Sequence, residues 1–576
     1  MNKHDVAYIL KDIGMLLEIK GESFFKSKAY YDAARKIEFL EEDLLDLIRE
    51  DRLKDIKGFG KALTQKISEL VTTGKLEYYE ELKSSIPSGL VEMMRIPGLG
   101  PKKVRAIYER LGIATIGELK YACMENRLVK LPGFGQKTQD KVLEGIENLG
   151  RYAGHYLFPV AMSLAKELID DLKRSGLVIR CSEGGSLRRR KEIVKDIDIL
   201  ASSNDTEAVM ELFTTHPIVG KVTSKGDTKS SVVLIEGINA DIRVVDDREY
   251  PYALHHFTGS KEHNTALRHI ARQKGIKINE YGLFQQGRPI ECKDENDIFK
   301  VFGMMYIPPE LRENNGELEA ARKGEIPRLI DRNDIKGIFH VHSNYSDGAN
   351  SLEELIQACI KRGYSYLGIT DHSQAAHYAG GLRTDDIKRQ HDEIDALNLK
   401  YAGFKILKGI ELDILPDGSV DYDEELLAQF DFTIASVHSS FNMDEDRMTE
   451  RVIKAMKNRY VTILGHPTGR LLLSREPYKI NMIELIRTAA KEGVILEINA
   501  NPHRLDLDWR LCKSAREQGC KFVISPDAHR IEGLDDVEYG LNIARKGWLT
   551  RKDVINSFEI NEILNVLSIT KVNTSK

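Results

Sequence analysis

No run of eighteen or more apolar residues occurs anywhere in the 576-residue chain, which excludes an ordinary transmembrane helix. The six cysteines (Cys123, Cys181, Cys292, Cys359, Cys512 and Cys520) are scattered without close pairing. That spacing argues against a disulfide scaffold and against thiolate zinc sites, and it fits a reducing compartment. Basic surplus is also missing: the formal net charge is −5. Any affinity for nucleic acid must therefore come from local basic patches and backbone amides, because the global charge opposes it. The opening Met1-Asn2-Lys3-His4-Asp5-Val6-Ala7-Tyr8 has no apolar core of the kind that directs export, so a cytoplasmic location is expected. What remains is 41% apolar and 30% charged, ordinary for soluble globular domains, with length enough for three or four of them.

The most informative stretch runs Gly184-Gly185-Ser186-Leu187-Arg188-Arg189-Arg190-Lys191-Glu192-Ile193-Val194-Lys195-Asp196-Ile197-Asp198-Ile199-Leu200. Its glycines allow close backbone approach to a ligand. In a strand, residues two apart share a face. Asp196 and Asp198 would thus stand side by side while Ile197 and Ile199 enter the core. Adjacent carboxylates repel, and a divalent cation relieves that repulsion. Ser186 and Arg189, just upstream, suit a phosphate. A metal site beside a phosphate site is the equipment of phosphoryl transfer. Asp241, in the β-branched run Ala240-Asp241-Ile242-Arg243-Val244-Val245, can reach the same place from a neighbouring strand.

Gly-Gly-Ser-X-Arg-Arg, then Asp-X-Asp, then a distant Asp-Ile-Arg resembles the palm of the family X DNA polymerases. His256-Phe257-Thr258-Gly259-Ser260-Lys261-Glu262-His263-Asn264 and Ile278-Asn279-Glu280-Tyr281-Gly282 resemble the nucleotide-binding segment of the same family. The resemblance implies that Asp196, Asp198 and Asp241 are the catalytic metal ligands, with Asp241 beside the primer 3′-hydroxyl. It implies that Gly185, Ser186 and Arg189 hold the triphosphate, that Phe257 and Gly259 belong to the nucleotide site, and that Asn264 and Arg268 line the nascent base pair. Two positions depart from the family pattern. His256 stands where it has tyrosine, which bears on ribonucleotide exclusion. Lys261 stands where the animal enzyme has an acid.

Three copies of Gly-apolar-Gly followed by Lys occur early: Lys57-Gly58-Phe59-Gly60-Lys61, Ile96-Pro97-Gly98-Leu99-Gly100-Pro101-Lys102 and Leu131-Pro132-Gly133-Phe134-Gly135-Gln136-Lys137. They resemble helix-hairpin-helix motifs. Gly58, Gly60, Gly98, Gly100, Gly133 and Gly135 would then expose amides to DNA phosphates without reading bases. A lysine in a first helical turn opposes the helix dipole, and a nearby anion explains it. Residues 1–85 resemble the lyase domain of polymerase β. That likeness places Lys66 at the Schiff-base lysine and Lys26 and Tyr30 at the accompanying sugar and phosphate contacts. A lyase nucleophile and a plain DNA-binding lysine both remain open for Lys66.

After a polar, proline-punctuated stretch at residues 307–334, the composition changes. His340-Val341-His342, Asp347, Thr370-Asp371-His372, Gly409-Ile410-Glu411, Val437-His438, Gly465-His466 and Asp527-Ala528-His529 nearly all follow strand-like runs, with helical stretches between. Ligands at strand C-termini in a β/α alternation describe a barrel with its site at one end. Imidazoles mixed with carboxylates suit manganese, zinc or iron. The pattern resembles the PHP (polymerase and histidinol phosphatase) domain. On that likeness His340, His342, Glu411 and Asp527 hold one metal, Glu411, His438 and His466 a second, and Asp347, His372 and His529 a third. Arg383, Arg470 and Arg504 are candidates to steer a phosphate backbone.

The expected fold is multidomain. Its α-helical N-terminal domains carry helix-hairpin-helix motifs: a lyase-like domain at 1–85 and a helix-hairpin-helix subdomain at 86–150. An α+β nucleotidyltransferase palm (151–252) follows, then a nucleotide-binding subdomain (253–308), a linker (309–334) and a distorted (β/α) barrel PHP domain (335–576). The expected activity is gap-filling DNA synthesis coupled to 3′→5′ exonuclease, abasic-site endonuclease or 3′-phosphatase action in the PHP domain. Expected cofactors are Mg2+ or Mn2+ in the palm and up to three Mn2+, Zn2+ or Fe ions in the barrel. Expected partners are gapped or nicked DNA, deoxynucleoside triphosphates and other repair proteins, with no membrane and a monomeric chain. Template-free nucleotide addition, and a DNA-end scaffold with a mainly structural PHP domain, are the alternatives.

Overall fold

A computed structural model describes residues 3–572 except 39, 41–43, 51, 57, 95, 97 and 151–153. Lys57 and Pro97, quoted above within two of the repeated motifs, lie outside the described residues. The chain forms two compact units, Met1–Gly150 and Arg151–Lys576.

The first unit is helical among its described residues. Gly60 and Gly100 are the N-caps of helices Lys61–Thr73 and Pro101–Leu111, neither with a side-chain cap, and both helices end on a left-handed glycine, Gly74 and Gly112. These starts without a side-chain cap contrast with helix Ile116–Met124, whose start is closed by a Thr115–Glu118 capping box. Gly58, Gly98 and Gly133 all have positive φ (96°, 88° and 84°), the conformation for which glycine is favoured. One apolar core runs from Val6 and Leu10 through Ile67 and Leu99 to Val142 and Ile146, so residues 1–85 and 86–150 share their interior.

The second unit begins with a sheet whose strands lie in the order Arg180–Glu183, Asp196–Ser202, Asn239–Val245, Lys229–Leu234, Val219–Lys225. Only Asp196–Ser202 against Asn239–Val245 is parallel; the other pairs are antiparallel. The helix Phe158–Arg174 covers this sheet with Ala161, Leu164, Ala165, Leu168, Ile169 and Leu172, an i, i+3, i+4 stripe. Each large apolar side chain so buried contributes roughly 1.5–3 kcal/mol. The first of these strands begins at Arg180, where pairing with Ser202 starts.

Further on, parallel strands Gly337–Val341, Tyr366–Ile369 and Lys405–Lys408 form one sheet, and Glu411–Asp413, Ile434–Ser436, Ile463–Leu464, Ile495–Asn499 and Phe522–Ser525 another. Single parallel bridges, Val341 to Ala528 and His372 to Glu411, join the two into a distorted barrel. Its interior takes Phe339, Tyr366, Leu407, Ile434, Ile463, Ile495 and Val523 from successive strands, with Ile563 and Leu567 of the closing helix Ile560–Val572 packed into the same cluster.

Residues 309–334 differ from the expected linker. They carry a turn at Pro309–Leu311 and a helix at Glu317–Lys323. Leu311, Leu318, Ala321, Ile326 and Leu329 share a core with Phe299 and Phe302. The stretch reads as polar because its charges are paired inside: Arg312 and Glu317 are both fully buried, Arg312 with Glu295 and Glu317 with His263.

Candidate active sites

In the palm, the parallel pairing sets Asp198 directly opposite Asp241. Ile197 and Ile199 enter the core, leaving Asp196 and Asp198 on the other face. Gly185 has φ 55°, and a Cβ there would lie 2.0 Å from Asp198 Oδ2, so only glycine fits beside that carboxylate. The Gly184 amide donates to the Asp198 carbonyl at 2.7 Å, locking the turn to the strand. Burial, with the charges of Asp196 and Asp241 added, pushes the Asp198 carboxyl up to about 6. The Lys229 ammonium stands 2.6 Å from Asp241 Oδ2, a cation already drawn among the carboxylates. Oxygen donors of like charge, one of them with a raised pKa, fit a hard divalent cation.

Ser186 lies in the short helical turn Gly185–Arg188. Arg189 follows it; its Nε donates to Glu313 Oε1 (3.1 Å) and its Nη1 to the Thr258 carbonyl (2.8 Å). Arg188 pairs with Glu295, which also accepts from Arg312. Burial alone would raise the Glu295 carboxyl, but Arg312 and Arg188 hold it well below the usual carboxylate range. Gly259 ends the helix Tyr250–Thr258. The Asn264 amide donates to the His256 (2.7 Å) and Gly259 (3.2 Å) carbonyls, so this side chain shapes the turn itself. The Phe257 ring lies 4.9 Å from the Arg243 guanidinium, and Arg268 Nη2 lies 3.4 Å from His256 Nδ1.

In the barrel, all nine expected ligands converge and are buried or nearly so. Several stand close enough together to share an ion. Ligand atoms of His342, Asp347, His372 and His529 cluster together; so do those of His340, His342 and Asp527, and of His372, Glu411 and His438. His342 and His372 therefore sit between groups, while His466 Nε2 reaches Glu411 Oε1 at 3.2 Å. His340, His466 and Asp527 all have positive φ (59°, 25° and 52°), and the strand register shifts between Ile338 and Val341. Such conformations persist where surroundings enforce them, and here they redirect side chains from the simple strand alternation. The Nε2 of His340 and both ring nitrogens of His342 are buried without a hydrogen-bond partner among the described residues. Those same atoms face carboxylate oxygens at 3.3 to 3.8 Å. Orphaned imidazole nitrogens converging with carboxylates fit transition-metal ions.

Four family models match the chain: a helix-hairpin-helix domain over residues 1–76, a SAM-like helix-hairpin-helix tandem over 90–148, a DNA polymerase beta thumb over 253–313 and a PHP domain over 339–501. The DNA polymerase/3′-5′ exonuclease PolX of Bacillus subtilis (strain 168) is 40% identical over 567 residues, 98% of this chain and 99% of that protein. The chain belongs to the PolX family of DNA polymerases. A probable phosphatase of Thermoanaerobacter sp. (strain X514) is 29% identical over 38% of this PolX chain and 89% of its own length. DNA polymerase lambda of Arabidopsis thaliana is 25% identical over 50% of the chain and 58% of its own.

In the helical unit of this PolX chain, Lys66 donates to Tyr30 Oη at 2.8 Å, and its ammonium lies 3.0 Å from the Tyr78 ring centre. Burial, then the charge of Lys26, lowers its pKa. Lys26 itself pairs with Glu22 at 3.2 Å. The six motif glycines lie at turns and helix starts, and Gly60, Gly98, Gly100, Gly133 and Gly135 have open space where a Cβ would be. Among the described residues no helix is long and apolar enough to cross a membrane.

Several supporting residues escaped the sequence reading. Glu497 Oε1 accepts from His340 Nδ1 (2.5 Å), and its Oε2 accepts from the His466 amide (2.6 Å). Asp413 holds His438 Nδ1. Asp371 accepts from the Ser343 amide and hydroxyl and from Gln390. Carboxylates behind ligating imidazoles orient them and raise their basicity. Arg470 corrects another expectation: it is buried on the Arg504 and Leu505 carbonyls and on Asp508, a clamp inside the barrel and unsuited to steering DNA.

Proposed function

We propose that the chain is a DNA repair polymerase that fills short gaps by template-directed nucleotidyl transfer, and that its PHP barrel removes nucleotides in the 3′→5′ direction. The observation that carries this is the coexistence of two separate charged centres. One is the Asp198–Asp241 pair beside the Gly185–Arg189 turn; the other is the nine-residue imidazole and carboxylate cluster at the barrel's strand ends.

In the palm, Asp196, Asp198 and Asp241 would hold Mg2+ or Mn2+. In the barrel, His340, His342, Asp347, His372, Glu411, His438, His466, Asp527 and His529 would hold up to three Mn2+, Zn2+ or Fe ions. Metal ions at the two sites supply charge neutralisation on the phosphoryl group and a lowered pKa for the attacking hydroxyl or water. The chain's own groups do the rest. Gly185, Ser186 and Arg189 bind the triphosphate, and Asp241 lies where the primer 3′-hydroxyl would lose its proton. Phe257 and Gly259 belong to the nucleotide site, and Asn264 and Arg268 line the base pair. The turns built on Gly58, Gly60, Gly98, Gly100, Gly133 and Gly135 grip backbone phosphates through backbone amides without reading sequence, which gap filling requires. The surroundings of Lys66 suit a Schiff-base nucleophile, and we assign it deoxyribose-phosphate lyase chemistry in the cytoplasm where the polymerase acts.

The test is primer extension and degradation on gapped DNA in manganese, for the wild type, Asp196→Ala/Asp198→Ala and His340→Ala/His342→Ala. Loss of extension alone in the first variant and of degradation alone in the second is the expected outcome. Normal degradation by the histidine variant would move the structural-barrel account ahead. Extension independent of template sequence would favour template-free addition. Borohydride trapping of an abasic-site adduct, lost in Lys66→Ala, tests the lyase assignment.

A further inference from the structure

Lys546 ends the helix Val537–Lys546 in the PHP half, and its side chain is completely buried. The ammonium donates to the Arg189 carbonyl (2.9 Å), the Glu310 carbonyl (3.2 Å) and Glu313 Oε1 (2.8 Å). That is the full donor capacity of a lysine. It also lies 4.6 Å from the Trp509 ring centre. Glu313 Oε1 in turn accepts from Arg189 Nε at 3.1 Å. The neighbouring residues are held from the same side: Glu192 accepts from Trp509 Nε1 (3.2 Å) and Arg510 Nη1 (3.0 Å), and Arg545 pairs with Glu310 at 2.7 Å.

A buried ammonium is expensive unless paired, and replacement by an apolar side chain often does as well for stability. The barrel nevertheless reaches across with a lysine, and what it grasps is the main chain and the ion-pair partner of one arginine of the nucleotide turn. We infer that Lys546 is a positioning residue for nucleotidyl transfer. Through Glu313 and the Arg189 carbonyl it sets the direction in which the Arg189 guanidinium meets the triphosphate, so the PHP half completes the polymerase site. The inference rests on the reading of Arg189 as a triphosphate ligand.

The test is gap filling and its reversal by pyrophosphate, with the full chain. Lys546→Met, of similar length and without charge, is expected to raise the KM for deoxynucleotide and for pyrophosphate about tenfold, with kcat changed about threefold or less. The affinity for gapped DNA and the exonuclease rate stay at wild-type values. Lys546→Arg recovers part of the loss. Glu313→Gln discriminates positioning from bulk charge. It removes a negative charge near the phosphates, so an effect of charge alone would tighten nucleotide binding, whereas positioning weakens it. Unchanged KM values in Lys546→Met, or tighter binding in Glu313→Gln, overturn the inference. If Lys546→Met loses exonuclease as well and fails to fold, Glu313→Gln, which leaves both carbonyl acceptors of Lys546 in place, carries the test. An Arg189→Ala variant with unchanged nucleotide KM would defeat the underlying reading. A weakened Arg189→Ala beside an unaffected Lys546→Met would defeat only the role of Lys546.

Discussion

Replacing Glu497 by glutamine would separate metal holding from folding in the barrel. Glu497 is fully buried in the strand Ile495–Asn499. One carboxylate oxygen orients His340 through Nδ1 at 2.5 Å, and the other accepts the His466 amide at 2.6 Å. His340 Nε2 thereby faces Glu411 and Asp527, at 3.3 and 3.6 Å. Glutamine has one acceptor oxygen where glutamate has two, so either His340 or the His466 turn loses its support. The negative charge that raises the basicity of His340 is also lost. Removing such a partner lowers metal affinity about 10- to 100-fold, which corresponds to roughly 1.4–2.8 kcal/mol. The assay is degradation of a 5′-labelled primer across a manganese titration. The half-saturating concentration should rise by about 10- to 100-fold while the plateau rate largely returns, and extension by the same preparation should keep its wild-type rate. An unchanged midpoint would refute the reasoning, as would a parallel loss of extension.

Gly185→Ala should abolish most extension, by about 100-fold or more, because its Cβ would fall 2.0 Å from Asp198 Oδ2; single-nucleotide insertion with normal exonuclease activity checks this, and near-normal insertion would show that the carboxylate tolerates displacement. Glu295→Gln should destabilise the second unit by about 3–5 kcal/mol, because Arg188 and Arg312 lose their shared buried partner; a denaturation midpoint unchanged from wild type would contradict it. Asp536 should make stability fall between about pH 4 and pH 7. Burial, then the charges of Asp535 and Asp527, raises its carboxyl from 3.8 to about 7. The folded state therefore binds the proton more tightly than the unfolded one, and the advantage present below 3.8 is lost as pH rises to 7. The full shift corresponds to about 4 kcal/mol, and Asp536→Asn should flatten that part of the profile; an identical profile would exclude the residue.

The candidate ligands stood out because their chemistry restricts both residue type and position. Two acids one residue apart in an apolar run, or a histidine after each of several strands, have few uses besides binding a cation. The glycines were legible for a similar reason: Gly185 must leave room for Asp198. What stayed hidden was the backbone that carries them. His340, His466 and Asp527 all have positive φ, and no local pattern announces a backbone forced by its surroundings.

The supporting charges were hidden for a different reason, and it also explains the misread linker. Composition treats an acid or a base as solvated until a partner is known, and the partners here are remote in sequence. Arg312 and Glu317 made residues 309–334 look like a polar connector, yet both are fully buried, on Glu295 and His263. Lys546, the last residue of its helix, is closed over by Glu313 and two carbonyls. Glu497 did carry a signal that can be used elsewhere. It stands between Leu496 and Ile498 in a strand whose every residue is buried, and a carboxylate cannot stay ionised in such a run unless something pairs with it. The physical rule that follows is directional. A charge inside an apolar run demands a partner, so it marks a buried network even when the partner cannot be named. A charge inside a polar run demands nothing, and for that reason the junction that fastens the PHP barrel to the nucleotide turn could emerge only from the folded chain.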